Sequence, residues 1–209
     1  MIDNTTHNKI LEYLDKKIIY QSKIKNILIT GCGGFIGGYL VSALLSKKFK
    51  GYFKIYGYDI ISPKLDKKSV FIKNFFFKKV DLTKKRSFFL NKKIDLIIHL
   101  AGIPSPKYYK KFPLKTFYLN SDLCKILLDF SKKKKAKFIY FSSSEIYGSP
   151  DKKNIPTPEI TMEKSRAYQT DLVMTKVKDL AKLIRIFIKI FIRWIQKSLD
   201  RSTFMAMEC

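Results

Sequence analysis

Three glycines, Gly31, Gly34 and Gly37, recur three residues apart directly after a short apolar run. The run, Ile27 to Ile29, suits a parallel strand that is covered on both faces. A backbone that turns tightly and approaches a pyrophosphate leaves no room for side chains, and a helix beginning near Phe35 would offer its free N–H groups to the phosphates. The pattern therefore predicts a dinucleotide site, with a glycine-rich loop that binds nothing as the alternative.

A second group that could do chemistry is the carboxylate of Asp59, at the end of the next predicted strand, Lys54 to Tyr58. A carboxylate at this point can accept hydrogen bonds from both hydroxyls of an adenosine ribose, and it would repel a 2′-phosphate. Asp59 therefore favours NAD over NADP. The alternative is a turn residue at a strand end.

The glycine loop does not fit the pattern G-x-G-x-x-G, because Ile36 stands where the last glycine would fall. It fits T-G-x-x-G-x-x-G from Thr30 to Gly37, and in this it resembles the nucleotide loop of the short-chain dehydrogenase/reductases. The quartet from Gly34 to Gly37 resembles their extended branch, the NAD-dependent nucleotide-sugar epimerases, dehydratases and decarboxylases. The resemblance implies NAD as the cofactor and a nucleotide sugar as the substrate. It implies cofactor contacts from Gly31, Gly34, Phe35, Ile36 and Gly37.

Further segments resemble the same family in chain order. Val80-Asp81-Leu82-Thr83 resembles a motif whose acidic residue lies beside the adenine amino group, although Asp81 could equally cap the next helix. His99-Leu100-Ala101-Gly102 resembles the H-L-A-[AG] segment, where small residues let the cofactor pass close to the backbone, and His99 is interpreted as a structural residue. Asn120 matches a mid-helix asparagine of the family, with a polar helix face as an equal alternative. The implied cofactor contacts here are Asp81, Leu82, Leu100, Ala101 and Gly102.

The segment from Phe141 to Pro150 resembles the family's catalytic strand end, [ST]-x-E-x-Y-G. Counted back from Tyr147-Gly148, Ser143 falls on the catalytic Ser/Thr position and Glu145 on the acid/base of dehydratases and decarboxylases. The Ser143 hydroxyl would bond the reacting oxygen of the sugar, and the Glu145 carboxylate would move a proton or hold the sugar ring after oxidation at C4. UDP-glucuronate decarboxylases give the closest resemblance. The alternative is a serine-rich loop.

The family's next motif, Tyr-x-x-x-Lys, is missing from the chain as written. Tyr168 is followed four residues later by Leu172, and Tyr147 by Asp151. In the family, the tyrosine removes the sugar hydroxyl proton and the lysine lowers the tyrosine pKa. The segment 184–195 is apolar except for Arg185, Lys189 and Arg193, and such a basic amphipathic segment would suit a membrane-associating tail.

Another explanation of this tail is a slip of the reading frame. When the tail is back-translated and read in the neighbouring frame, Val173 to Leu180 can spell Y-D-E-S-K-R, a form of the missing motif. In the same frame, Asp200 to Cys209 can spell a segment that resembles the one after the family's sixth strand. We therefore predict a one-base slip near Ile160, and a chain that ends before the family's C-terminal substrate part is complete.

The elements that must position these groups alternate strand and helix from residue 26 onward, which is typical of a doubly wound parallel sheet. The prediction is an α/β fold, a Rossmann-type doubly wound parallel sheet that is incomplete. The predicted elements are strands at 26–30, 54–58, within 70–77, from 94 and at 136–141, helices at 35–47 and 114–132, and a loop at 103–112. A short amphipathic helix is predicted within residues 1–25. The domains are thus an extension at 1–25, an NAD-binding domain at 26–158 and a tail at 159–209.

Composition also bears on whether the protein binds a nucleic acid or a metal, is secreted, or spans a membrane. The formal net charge of +25 would suit a protein that binds a polyanion. The lysines, however, are spread through the chain beside abundant Ile, Phe, Asn and Tyr, whose codons are rich in A and T. A genome of low G+C content is therefore the favoured explanation of the high charge. The three cysteines lack paired spacing and predict neither a metal site nor a disulfide framework. No signal segment and no apolar run long enough to span a bilayer are found in the sequence. The expected location is the cytoplasm, with no nucleic-acid partner and no membrane.

Taken together, the expected function is the NAD-dependent epimerisation, dehydration or decarboxylation of a UDP- or dTDP-sugar through oxidation at C4, in the synthesis of surface polysaccharide. The family is usually homodimeric. The alternative is a catalytically inactive NAD-binding fragment that lacks the Tyr/Lys pair and carries a basic amphipathic tail.

Overall fold

A computed structural model describes residues 23–66, 68, 70–84 and 91–142 of the chain. Over these residues, strands alternate with helices as the sequence predicts. The strands are β1 (Asn26–Thr30), β2 (Lys54–Asp59), β3 (Phe75–Lys79), β4 (Leu96–His99) and β5 (Lys137–Tyr140). The helices are α1 (Phe35–Leu44), α2 (Pro106–Lys111), α3 (Pro113–Asn120) and α4 (Asp122–Lys134), with 3-10 turns at Lys47–Phe49 and Ile72–Asn74.

The five strands form one parallel sheet in the order β3-β2-β1-β4-β5, which confirms the predicted doubly wound fold. From β1 the chain builds outward through β2 to β3 on one side, and then through β4 to β5 on the other. The direction of winding therefore reverses between β1 and β4. In such sheets, ligands bind in the crevice outside the carboxyl ends of the strands at this reversal.

The central strand β1 packs on both faces, as its apolar run predicts. Ile27 and Ile29 join the core layer under α1, while Leu28 joins the layer under α3 and α4. This alternation follows from the period of two along a strand. Leu28 and Ile29 are fully buried, so the two layers hold β1, and with it the start of the loop that follows, in place.

Several predicted boundaries were wrong, each for a local reason. The predicted loop at 103–112 contains α2, because Pro106 stands at the first helical position, where proline is favoured. The single helix at 114–132 is two helices, which are divided at Ser121, where the backbone (φ −111°, ψ −70°) is distorted from regular helical geometry. Helix α1 ends at Leu44, and Ser46 then caps a 3-10 turn. Strand β3 begins inside the predicted range, at Phe75 after a 3-10 turn, but ends two residues beyond it, at Lys79.

Two predicted segments lie outside the described residues. These are the N-terminal helix within residues 1–25, apart from its last three residues, and the tail at 159–209. No helix in the described ranges has the length and apolar character needed to cross a bilayer.

Candidate functional site

The first glycine of the loop, Gly31, has a backbone that only glycine tolerates. Its φ is +76°, and a Cβ there would lie 2.6 Å from the backbone N of Ala101. The Gly31 N–H donates to the Tyr58 carbonyl at 2.9 Å. Gly31 therefore lets the exit of β1 pass directly against the exit of β4, with the end of β2 on its other side.

Gly37 and Gly34 differ in what surrounds them. A Cβ on Gly37 would lie 2.2 Å from the Gly31 carbonyl oxygen, so α1 can begin against the loop only with glycine here. A Cβ on Gly34 would meet a single atom, the same oxygen at 3.4 Å, and otherwise open space. The protein's own packing therefore explains why residue 37 is glycine. At Gly34 the backbone instead borders an open space, here called the cradle, which a side chain would partly fill.

Gly34 is also the N-cap of α1. It offers no capping side chain, and the first turn of this ten-residue helix contains no acidic residue. The positive end of the helix dipole thus meets no carboxylate from the helix itself, an arrangement that favours a bound phosphate. Phe35, the first helical residue, is 59% exposed beside this end.

Asp59, at the carboxyl end of β2, is tied to the loop. Its Oδ2 accepts the Gly33 N–H at 2.9 Å, and its Oδ1 accepts the Ile61 N–H at 3.2 Å. Each carboxylate oxygen retains a second lone pair, so these bonds leave acceptor capacity for a ligand's hydroxyl groups. The turn role and the ligand role, which the sequence left as alternatives, are compatible at this residue.

Two glycines that the sequence analysis did not select prove necessary for this contact. A Cβ on Gly33 would lie 1.9 Å from the Ile61 carbonyl oxygen, and one on Gly57 would lie 2.8 Å from Cys32 Sγ. The available signals were the second glycine of a G-x-G pair and a glycine inside a strand, which marks a close approach of another segment.

Cys32 lies inside the glycine loop but has no access to a ligand. It is fully buried, and burial together with the nearby Asp59 charge raises the pKa of its thiol to about 12. The residue is therefore a protonated core side chain, as expected of a small buried hydrophobe.

The next strand end brings Asp81 to the same edge of the sheet. The Val80 N–H donates to the Asp59 carbonyl at 2.8 Å. Asp81 Oδ1 accepts from Thr83 Oγ1 at 2.7 Å and from its N–H at 3.0 Å, and the hydroxyl bond is the main cause of a lowered Asp81 pKa. Leu82 is buried in the core layer under α3. Because residues 85–90 are not described, the helix-cap alternative for Asp81 lies outside the structure.

The exit of β4 forms the other wall of the crevice. The Leu100 N–H donates to the Thr30 carbonyl at 3.0 Å, which carries the pairing of β1 and β4 one residue past the strands. Gly102 is exposed, and its missing Cβ would lie 3.7 Å from Asn120 Oδ1, an ordinary contact. Asn120, expected in the middle of a helix, is the last residue of α3.

His99 is a buried structural residue, as the sequence analysis interpreted it. Its Nε2 lies 3.0 Å from the Leu119 carbonyl oxygen, and its Nδ1 lies 2.7 Å from Thr30 Oγ1. Since a carbonyl only accepts, Nε2 carries the proton. Burial lowers the His99 pKa, so the ring is neutral and Nδ1 accepts from the threonine hydroxyl.

The structure thus brings together four of the predicted segments, namely the glycine loop, Asp59, Asp81-Leu82 and Leu100 to Gly102. All lie at the carboxyl edge of the sheet, around the reversal between β1 and β4. The predicted catalytic residues Ser143 and Glu145, and Tyr147 beside them, lie outside the described residues.

Comparison with known proteins agrees with this geometry. A family model described as the NAD dependent epimerase/dehydratase family matches residues 27–176. The chain is 34% identical over 149 residues to the bifunctional polymyxin resistance protein ArnA of Wigglesworthia glossinidia brevipalpis, covering 70% of this chain and 22% of that protein. It is 33% identical over 131 residues to UDP-glucuronic acid decarboxylase 6 of Arabidopsis thaliana, covering 63% of this chain and 37% of that protein. The chain therefore spans well under half the length of either curated relative.

Among solved structures, the fold resembles a UDP-N-acetylglucosamine 4-epimerase from Methanobrevibacter ruminantium M1 in complex with UDP-N-acetylmuramic acid. The TM-score is 0.54 at 25% identity, over 73% of this chain and 51% of that one. The family match covers well over half of the chain and includes every segment of the candidate site. The chain belongs to the NAD-dependent epimerase/dehydratase family.

Proposed function

We propose that the crevice between the exits of β1 and β4 holds NAD, and that the protein uses it to modify a nucleotide sugar. The observation that carries the proposal is the cradle at Gly34, open above an uncapped helix end and beside the Asp59 carboxylate. A nicotinamide cofactor bound there supplies a hydride acceptor that can later return the hydride.

Each described segment has a task in this proposal. The N–H groups at the start of α1 bind the pyrophosphate over Gly34, and Asp59 accepts the adenosine ribose hydroxyls. Asp81 and Leu82 lie beside the adenine. Leu100, Ala101 and Gly102 line the path toward the nicotinamide, where an exposed Gly102 lets a ligand pass close to the backbone. The Asp59 charge opposes a 2′-phosphate, so NADH is preferred over NADPH.

The substrate proposal rests on the family and on sequence. Two of the similar proteins are named for UDP-sugars, a UDP-glucuronic acid decarboxylase and a UDP-N-acetylglucosamine 4-epimerase. In this chain, Ser143 would bond the reacting sugar oxygen and Glu145 would move the proton that decarboxylation, elimination or epimerisation requires. UDP-glucuronate is the first substrate to test. The cytoplasm, surface-polysaccharide synthesis and a homodimer complete the proposal, the last supported by the exposure of Leu114 and Phe117 on α3.

The second candidate is an inactive NAD-binding protein. One observation favours it, since neither Tyr147 nor Tyr168 is followed four residues later by lysine. We propose a one-base slip near Ile160 as the origin of this gap. The family match to the chain as written runs on to residue 176, which counts against a slip as early as Ile160.

One experiment separates the two candidates. The full chain and a second version, expressed from a gene with the frame restored near Ile160, are given UDP-glucuronate and NAD, and product is followed by mass spectrometry. We expect the restored version to turn over at least about a hundredfold faster, because a general acid–base group contributes at least that much. Glu145→Gln in the restored version is the control, and this variant should lose turnover but still bind NADH.

Equal rates for the two versions would sink the frame-slip explanation. If neither version turns over UDP-glucuronate while both still bind NADH, the result would favour the second candidate, an inactive NAD-binding protein. Sedimentation of the chain with anionic vesicles tests its basic tail at 184–195, and a chain that stays in the supernatant would remove the membrane-associating alternative.

A further inference from the structure

Helix α3 ends at Asn120 and α4 begins at Asp122, so the two helices are divided at Ser121, two residues after Leu119. Ser121 itself is still bonded on both sides, since its N–H donates to the Phe117 carbonyl and its carbonyl accepts the Lys125 N–H, each at 2.9 Å. A break of this kind usually has an identifiable cause, such as a side chain that inserts into the hydrogen-bond ladder. Here the His99 imidazole comes from the neighbouring strand end and donates its Nε2–H to the Leu119 carbonyl at 3.0 Å. The break therefore lies where a fixed group of the sheet holds the helix.

The other side of the same ring is fixed as well. Nδ1 accepts from Thr30 Oγ1 at 2.7 Å, and both Thr30 and His99 are fully buried. A neutral ring with one donor and one acceptor has a single way to satisfy both partners. The ring can neither flip nor rotate without leaving a buried polar group unpaired, which is unfavourable.

The two partners of His99 lie on opposite walls of the crevice. Thr30 is the last residue of β1 and directly precedes the glycine loop, whereas Leu119 directly precedes Asn120. The Asn120 amide oxygen lies 3.7 Å from the position that a Gly102 Cβ would take, on the wall formed by the β4 exit. One buried ring thus connects the start of the loop to the residue that faces Gly102.

We propose that His99 is a positioning residue, whose Nε2–H fixes the α3–α4 break and so holds Asn120 against Gly102 at the edge of the cofactor site. The inference rests on the proposed NAD site for its effect on binding, but not for the placement of Asn120. Thr30 has the complementary task, because its hydroxyl selects the tautomer that can donate to Leu119.

The matched pair of variants is His99→Gln and His99→Asn. A glutamine amide can reach the position of Nε2 and donate to Leu119, whereas an asparagine amide reaches only the position of Nδ1. Asp95→Asn is the control for general loss of stability, since Asp95 joins β1 and β4 at the opposite edge of the sheet.

The first readout is amide hydrogen exchange of the full chain without ligand. We expect His99→Asn to slow exchange at Leu123 by at least about tenfold relative to Asp95→Asn, because the freed Leu119 carbonyl can then accept the Leu123 N–H and continue the helix. His99→Gln, which keeps the bond to Leu119, should exchange there at close to the wild-type rate. A uniform increase in the exchange rate over the whole sheet in both His99 variants would overturn the proposed role of His99 in placing Asn120.

The second readout is a double-mutant cycle on NADH affinity with Asn120→Ala. If His99 acts through Asn120, then His99→Asn weakens NADH binding in the wild type and changes it little in the Asn120→Ala background. Additive losses would overturn the proposal. A wild-type chain that binds no NADH would contradict the proposed function instead, and the exchange result would then decide the placement by itself.

Discussion

Gly34 and Gly37 lie three residues apart in one loop, yet they are glycines for different reasons. The packing of α1 on the loop excludes a side chain at Gly37, whereas the space beside Gly34 is open. Sequence spacing alone treats the two positions alike. Only the structure separates a glycine required by the protein from one whose bareness suits a ligand.

This difference predicts opposite behaviour for two variants. Gly37→Ala should lower the free energy of unfolding by about 1–3 kcal/mol, since its Cβ would lie 2.2 Å from the Gly31 carbonyl oxygen. Gly34→Ser places a favoured N-cap residue on α1 and should keep the urea midpoint of the wild type, while it weakens NADH binding by about tenfold or more because its side chain fills the cradle. Urea unfolding and NADH titration of both proteins check this. Undiminished NADH binding by Gly34→Ser would argue against a pyrophosphate at this helix end.

The ligand role that we propose for Asp59 is one that a neutral amide cannot fulfil. Asp59→Asn keeps an oxygen that can accept the Gly33 N–H but removes the negative charge that opposes a 2′-phosphate. We expect NADH to bind more weakly and the preference for NADH over NADPH to shrink by about tenfold. Asp66→Asn, a change of the same chemistry on a surface carboxylate that accepts the Lys68 N–H, should leave both affinities unchanged. An unaltered preference in Asp59→Asn would refute the ribose assignment.

His99 predicts a pH dependence of stability. Its pKa in the folded chain lies below the ordinary value of 6.5, so the unfolded chain binds the extra proton first. The contribution of the neutral His99 to the free energy of unfolding is therefore fully present above pH 6.5, and it decreases as the pH falls below this value toward the folded-state pKa. Urea unfolding between pH 7.5 and 5 should show this decrease in the wild type, and His99→Asn should show a flatter profile. Asp81 and Asp95 have pKa values lowered from 3.8 and titrate below this window.

At the scale of elements, the sheet is joined differently at its two edges. At the carboxyl edge, the strand exits approach one another through glycines and leave a crevice. At the amino edge, Asp95 Oδ2 accepts the N–H groups of Lys25 and Asn26 at 3.0 and 2.8 Å, and the Asn26 side-chain amide at 3.0 Å. Burial would raise the Asp95 pKa, but these bonds outweigh it and the pKa is lowered. The ion pair with Lys93, which is 82% exposed, adds little.

This separation predicts that stability and binding can be changed independently. Asp95→Ala should lower the free energy of unfolding by about 2 kcal/mol, because hydrogen bonds to a charged group are lost at the start of β1 and β4. NADH affinity should stay within about twofold of the wild type, since the crevice lies at the other edge. Urea unfolding and NADH titration measure the two quantities. A parallel loss of affinity would mean that the sheet transmits the change along β1 and β4.

The sequence predicted the elements well where one periodic signal dominated. The apolar runs of β1 and β4, and the strand–glycine–helix order around Gly31, were sufficient for the parallel sheet. The sequence analysis failed at two places for different reasons. Pro106 was taken as a loop residue although it begins α2, and here a local signal, proline at the first helical position, was overlooked. The division of the predicted helix at Ser121 has no such signal in the local pattern.

At the scale of the whole molecule, the family and the fold agree on a cofactor site, and the described residues supply its walls. Distance along the chain explains what could be predicted there. Gly31, Asp59 and Gly102 are far apart in sequence and were selected by motif, while their contacts, such as Gly33 with Asp59, came only from the structure. The catalytic assignments to Ser143 and Glu145 stay predictions, since these residues lie beyond the described ranges.

The most direct test of the central claim is an equilibrium titration of the full chain with NADH and with NADPH, followed by nicotinamide fluorescence. We expect saturable binding of one NADH per chain, and NADPH binding that is at least about tenfold weaker, or about 1.4 kcal/mol less favourable. Circular dichroism of the same sample verifies that the protein is folded. A folded chain that binds no NADH, or that binds NADPH equally well, would contradict the NAD site at the glycine loop and Asp59.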